Sequence, residues 1–596
     1  MERWFNRRLV GVYALLALVL ALGYARYDYR AIDGDGTAFL DISQYITDGH
    51  AHLAINGYWN PGYPAVLAAA RAITNPTRLT EMPTAIYTNL GIFALTMAAC
   101  LFFTRGLIRL RSVPRTPALD KAAAASNVPA RLVMPANALH VFGLALLVYT
   151  LGRELPLGEV KADTLLLALL LVAMGLVLRL MVATAEIGRA RLSLYALLGL
   201  TLGCAYLVKS FAFLPSALLF VAAFIFGLTR KGLLRRNIAT GAVLAGVIFA
   251  AVAGPYIVAI SRQLGHPSTG DSARLNYCFF IDQTPRWHEW YHHDLGHATG
   301  VFLHPEQVIA PAIATAPPVY SFAAHPYGTF PLWFDPAYWT DGLTPNFWLH
   351  GHLERLARCT GLLARYVLAR PEAFVLLALL LAFGARLPRR RELWMWGVPI
   401  GWGLLMLAIY FPIDLQDRYL MAPFLFVLLP IAAWLEVRHD RNPAPRLIAE
   451  SLVLLLAGLA ITQGASYVLS ERREMVVHRG EPGYNIELHD IAAGLQSLGL
   501  HPGDTVACFG DMACYRDQWG RLAGAHVIAE VGTPIQTEPQ PVWDAMPDPR
   551  VVTDPLRTLG ARFIVARFYN TAKKPAGWVE LEGSDYYAYP LDAPAN

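Results

Sequence analysis

Charge is what this chain has least of. Only 16% of its 596 residues are Asp, Glu, Lys or Arg, against about a quarter in an ordinary soluble domain. With 55% hydrophobic residues and a mean hydropathy of +0.38, that deficit excludes a soluble globular chain and implies a polytopic membrane protein. The net charge of +5 is small and unevenly placed. No basic patch interleaved with aromatics is present, so nucleic acid is excluded as a partner. Cysteine is scarce too: the six are scattered without a C-x-x-C pair, which excludes a zinc ribbon or redox dithiol. Cys508 and Cys514 are close in sequence, and either a disulfide or two buried thiols fits them. The dinucleotide fingerprint G-x-G-x-x-G is missing, and no long repeat or low-complexity tract occurs. The basic start and the apolar run Leu9 to Ala25 lack a small-x-small cleavage site, so this run reads as a retained first helix.

What is present in quantity is long apolar runs. A membrane span needs about 20 mostly apolar residues. About eleven stretches qualify, at 9–26, 84–104, 132–151, 164–184, 192–208, 211–228, 237–260, 372–386, 395–411, 419–436 and 446–468. The pair Lys209-Ser210, followed by Pro215, marks the turn between the fifth and sixth. Alternate connections are rich in arginine: Arg7 and Arg8; Arg105, Arg109 and Arg111; Arg189 and Arg191; Arg235 and Arg236; Arg389 to Arg391; Arg438 and Arg441. By the positive-inside bias these are cytoplasmic. The first outer loop 27–83, the long loop 261–371 and the tail after 470 then face outward. The fold class expected is a mainly α polytopic membrane protein carrying a C-terminal α/β domain. Residues 1–469 form the membrane module and 470–596 the outer domain. Three β-rich runs, 505–510, 526–529 and 562–566, alternate there with helix-like segments 486–499 and 553–560, which implies a partly parallel sheet. The segment 113–131 reads as a cytoplasmic linker. The apolar segment 62–73 is too short to span and lies along the outer face or is re-entrant.

Chemistry concentrates in the first outer loop, Asp33-Gly34-Asp35-Gly36-Thr37-Ala38-Phe39-Leu40-Asp41, followed by Tyr58-Trp59-Asn60-Pro61-Gly62. Glycines on both sides of Asp35 let a bulky substrate approach. Asp35 is the first candidate for a general base, with partial desolvation raising its pKa toward that task; a turn or helix cap is the structural alternative. Asp41 is a second catalytic candidate, and Asp33 reads as a turn residue. Asp163, at the outer end of the fourth span, fits a helix N-cap or a further carboxylate of the site. Lys209 and Arg418, with Tyr419, sit at outer span ends where basic residues are otherwise rare. They are candidates to hold a lipid phosphate, although a cation at a span end also snorkels. The long loop is rich in Trp, Tyr, His and Pro; aromatics there stack on sugars or anchor at the interface. Tyr58, Trp59, Arg274, Asn276 and Tyr277 are the candidate substrate-binding residues. His292, His293 and His297 carry helical metal spacing without the usual Glu, so no metal ligand is assigned and a divalent metal stays an open alternative.

These motifs, in this order and sidedness, resemble the GT-C superfamily of integral-membrane glycosyltransferases. The similarity is to the branch related to protein O-mannosyltransferases and the lipid A aminoarabinose transferase. Asp35-Gly36-Thr37-Ala38-Phe39 stands where that branch has Asp-Glu and an aromatic, with Gly36 in place of the Glu, so only the role of the first acid carries over. Asp417-Arg418-Tyr419, with Pro423, is similar to the late Arg-Tyr motif near the donor phosphate, and Lys209 to the lysine at a helix end. The resemblance implies inverting transfer of a sugar from a polyprenyl-phosphate donor to a lipid, glycan or protein acceptor. It places the reaction on the outer face of a bacterial inner membrane. Two other readings compete: a transporter or flippase of lipid-linked saccharides, and a membrane anchor for the C-terminal domain.

Overall fold

The computed structural model describes residues 6–27, 32–78, 80–111, 131–132, 134–151, 157–185, 192–229, 232–285, 294–312, 316–323, 328–369, 371–382, 390–437, 444–477, 486–510, 513–514, 518–533, 537–568, 575–581 and 583–591. The expected linker 113–131 lies almost wholly outside them, as do His292 and His293.

Among the described residues a helix stands at each stretch expected to span: α1 (Arg7–Tyr27), α4 (Glu81–Arg111), α5 (Ala136–Tyr149), α6 (Asp163–Ala185), α7 (Leu192–Val208), α8 (Phe213–Leu228), α9 (Gly232–Leu264), α12 (Pro371–Ala382), α13 (Arg390–Tyr410), α14 (Asp417–Trp434) and α15 (Ala444–Val477), of which α12 is described over 12 residues only. Among the described residues seven helices are long and apolar enough to cross a bilayer, and three shorter apolar ones accompany them. Small residues set the closest crossings, as is usual where lipid removes the hydrophobic drive between helices. A Cβ on Gly199 would stand 2.2 Å from the Ala245 carbonyl oxygen, and one on Gly203 2.8 Å from Val252. This pair, four apart, seats α7 on α9. The first and last membrane helices also pair, with Tyr24 stacked on Tyr467 at 5.1 Å.

The side read from sequence as outer carries α2 (Gly34–Thr47), α3 (Gly62–Thr74), α10 (Ser272–Phe280) and α11 (Leu349–Leu368). The acidic stretch read as a loop is therefore mostly helix. Asp33 caps α2, accepting from Gly36 N at 2.9 Å, and Phe39, Leu40 and Ile42 then bury one face. The short segment α3 buries Tyr63, Pro64, Leu67 and Ala68, while Ile73 at its far end is exposed.

A seven-stranded mixed sheet crowns the outer side. Its strands are β1 (Gln307–Ala310), β2 (Val319–Ser321), β3 (Thr505–Phe509), β4 (His526–Val531), β5 (Phe563–Arg567), β6 (Val579–Glu580) and β7 (Tyr586–Pro590), in the order β6-β7-β5-β3-β4-β2-β1. The three strands expected from sequence, β3, β4 and β5, form its parallel centre. The long loop adds β2 antiparallel to β4, with Val319 opposite Val531, and β1 beyond it. Cys508 and Cys514 form a disulfide at the end of β3.

Candidate active site

The cation Lys209 owes its place to the end of α7. Asn60 fills the orphaned groups there: its amide donates to Tyr206 O at 2.9 Å, and its Oδ1 accepts from Ser210 N at 3.1 Å. Gly62 allows the approach, because a Cβ would lie 2.6 Å from the Leu207 carbonyl. The chain leaves the helix in extended form at Lys209. Its Nζ then meets Asp163 Oδ1 at 2.8 Å and lies 4.4 Å over the Tyr419 ring. Asp163 is the first residue of α6 rather than its cap, so it serves the helix dipole and the site together.

Arg418, in the first turn of α14, lies between two carboxylates. Its Nη1 is 3.4 Å from Asp35 Oδ2 and 3.8 Å from Asp163 Oδ2. Asp35 sits in the first turn of α2. Its Oδ2 also takes a hydrogen bond from Lys161 Nζ at 2.9 Å, and Lys161 bonds Asp33 as well. The result is an alternating array: Asp33, Lys161, Asp35, Arg418, Asp163, Lys209. Lys161 was not among the residues singled out from sequence. Its sequence signal is slight: a lone lysine two residues before Asp163, between a connection and a span.

The array changes the expected acidity of Asp35. Burial pushes its carboxyl up, but Lys161 and Arg418 outweigh that and hold it down at about 2. The expectation of a raised value is therefore overturned. Its reason is the two cations on one oxygen, which sequence separation concealed.

A cavity of about 330 Å³ opens onto this array, lined by Asp35, Tyr58, Trp59, Asn60, Lys161, Asp163, Lys209, Asn276, Arg418 and Tyr419 among others. Asn56 shapes the aromatic wall, its Oδ1 accepting from Tyr58 N and Trp59 N, each at 2.9 Å. The Tyr58 hydroxyl reaches Asn276 Oδ1 at 3.3 Å.

Three of the residues singled out from sequence are not brought to this cavity. Asp41 is buried behind it, paired to Arg521 at 2.6 Å and accepting from Thr329 N at 2.6 Å and Oγ1 at 2.9 Å. Arg274 pairs with Asp271 at 2.8 Å and donates to Leu343 O, fastening the long loop to itself. The Tyr277 hydroxyl bonds His352 Nε2 at 2.7 Å. Each has a partner that only the tertiary fold supplies. His297 stacks on Trp348 at 3.6 Å. Among the described residues, Cys508, Cys514 and Glu530 alone gather with metal-ligand spacing, and their two sulfurs are bonded to each other.

No protein-family model matches the chain, and no curated protein sequence does. Solved structures do match. The crystal structure of ArnT from Cupriavidus metallidurans bound to undecaprenyl phosphate superposes with a TM-score of 0.50 at 14% identity, over 99% of this chain and 100% of that one. The same protein in its apo state gives 0.51 at 14% identity, over 98% and 99%. By fold, then, this chain is similar to ArnT along nearly its whole length: a multi-pass helical membrane body with a mixed-sheet outer domain.

Proposed function

We propose that the protein is an inverting membrane glycosyltransferase that uses a polyprenyl-phosphate-linked sugar on the extracytoplasmic face of a bacterial inner membrane. The observation that carries this reading is the convergence of Asp35, Lys209 and Arg418, from three distant segments, on one cavity. Arg418 and Lys209 are suited to grip the donor phosphate and to stabilise it as it departs. Both cations on Asp35 meet it at Oδ2, which leaves Oδ1 for the acceptor. As acceptor oxygen or nitrogen attacks the anomeric carbon, its proton passes to Asp35. The bond to the phosphate oxygen breaks, and its electron pair stays on the phosphate. A donor phosphate competes for Arg418, so its arrival relieves the hold on Asp35 and strengthens the base when it is needed. Tyr58, Trp59 and Asn276 offer a wall of ring faces and amide for the sugar.

The membrane side suits a greasy donor. One face of α6 runs from Asp163 through Leu166, Leu167 and Leu170, which line a slot beside Arg418. It continues to Val177, Leu180 and Met181, which line an apolar cavity of about 310 Å³ between α7, α8 and α9. In the fold relative, the bound lipid is undecaprenyl phosphate.

The test is reconstitution of the purified protein with undecaprenyl-phosphate sugars, beside mass spectrometry of envelope lipids, glycans and glycoproteins from cells with and without it. A sugar-bearing product that disappears on deletion and on Asp35→Asn alike is the expected result. An unchanged envelope, together with saccharide crossing sealed vesicles, would instead favour a transporter.

A further inference from the structure

Gln416 and Asp414 line the same cavity, and through them Arg418 is held on the side away from Asp35 and Asp163. Its Nε donates to Gln416 Oε1 at 2.9 Å. The Gln416 amide donates in turn to Asp414 Oδ2 at 2.8 Å. Asp414 Oδ1 is bonded by Arg355 Nη2, and Arg355 Nε donates to Ile413 O at 2.8 Å. The Arg355 guanidinium also lies 4.3 Å over the Phe280 ring, and its side chain is only 9% exposed. These bonds form an unbroken line from α11 on the outer surface to the guanidinium that faces Asp35 and Asp163.

The polarity of the line selects its middle member. A carboxylate only accepts and a guanidinium only donates. The group between Asp414 and Arg418 must therefore donate on one side and accept on the other. An amide does both at once; a carboxylate or an ammonium does not. Gln416 is thus oriented by its neighbours, and it fixes the rotamer of Arg418 before any phosphate arrives.

We infer that Gln416 is a positioning residue for Arg418, that Arg355 anchors it through Asp414, and that this strut sets the affinity of the site for the phosphate of a lipid monophosphate. The inference rests on the reading of Lys209 and Arg418 as a phosphate site and adds to it Gln416, on the cavity wall, and Arg355, outside the cavity lining. Preorganising a guanidinium removes an ordering cost from binding.

The test is a double-mutant cycle on the full chain in lipid nanodiscs, titrated with undecaprenyl monophosphate. Arg355→Met and Gln416→Met are each expected to weaken binding about tenfold, the size of one hydrogen bond to a charged group. The double variant should lose no more than either alone, because both cut the same line. Gln416→Met leaves the Arg355–Asp414 pair in place, so it reads the strut even where Arg355→Met folds poorly. Additive losses, or variants that bind as the unaltered protein does, overturn the strut while leaving the phosphate site standing. Failure of the unaltered protein to bind the lipid at all overturns the phosphate reading and this inference with it.

Discussion

Arg418 and Asp35, separated by 383 positions, meet at 3.4 Å across the outer cavity, and the same Asp35 oxygen is bonded by Lys161 from the other side. The two cations favour the ionised carboxylate, and in the proposed mechanism it gains basicity when a donor phosphate draws Arg418 away. That relationship governs what substitution and pH should do.

Asp35→Asn should lower transfer by about 10²–10⁴-fold, the range for a lost general base, with membrane expression unchanged. Initial rates in proteoliposomes check this; near-normal turnover would assign the base elsewhere.

Lys161→Met should move the acid limb of activity upward. The carboxyl of Asp35 is held at about 2, so its protonation leaves kcat/KM flat down to strongly acid pH. Removing a cation raises a carboxylate pKa, and the acid limb should then enter the measurable range. In the unaltered protein, on the proposed mechanism, the pKa read from kcat should exceed that from kcat/KM, since the first reports the donor complex. The linkage to stability has the same sign. A depressed carboxyl contributes stability above its unfolded value, near 3.8, and that contribution is lost as pH falls toward about 2. An acid limb unmoved by Lys161→Met would show that Asp35 does not set it, or that the Lys161 charge does not act on it.

Arg521→Met should destabilise the protein by about 3–5 kcal/mol, the cost of stranding buried partners. Arg521 bonds Asp41 at 2.6 Å and Glu81 at 2.7 and 2.8 Å, and all three are buried. Asp41 shares α2 with Asp35, so the same variant should reduce turnover by loosening the helix that carries the proposed base. Thermal unfolding in detergent and the transfer rate check the two effects. A stable, fully active variant would show that the outer domain does not position α2.

Gly62→Ala should weaken lipid-phosphate binding without removing any charged group. The new Cβ would lie 2.6 Å from the Leu207 carbonyl and 2.7 Å from Val208 N, which are backbone atoms that must shift. Overpacking of this kind costs about 1–3 kcal/mol. The shift falls next to Lys209, so titration with undecaprenyl monophosphate should show the loss.

Much of the membrane body was legible because a span is a local property. Apolar run length and arginine placement are both read from neighbouring residues, and helices stand at every expected span. The three parallel strands of the outer sheet were legible for the same reason. Partnership was not. Asp41 and Asp35 look alike in sequence, yet one is neutralised by Arg521 and the other faces a cavity. Lys161 carries no motif; its meaning comes from α2 folding back over the start of α6. Likewise β1 and β2 are short runs in an aromatic loop, and a distant strand makes them a sheet. The pKa of Asp35 was misjudged because burial is visible in composition while two cations on one oxygen are not.

The pairing of β2 with β4 has a consequence for how the molecule is made. Residues 319–321 leave the ribosome some two hundred positions before residues 526–531, through which they join the sheet's centre. Until β4 is synthesised, that edge must wait without its neighbour, so the sheet is completed only after all the apolar helices are made. A chain that stops at residue 470 therefore loses more than a tail: the loop over the cavity is left with a strand that has nothing to join.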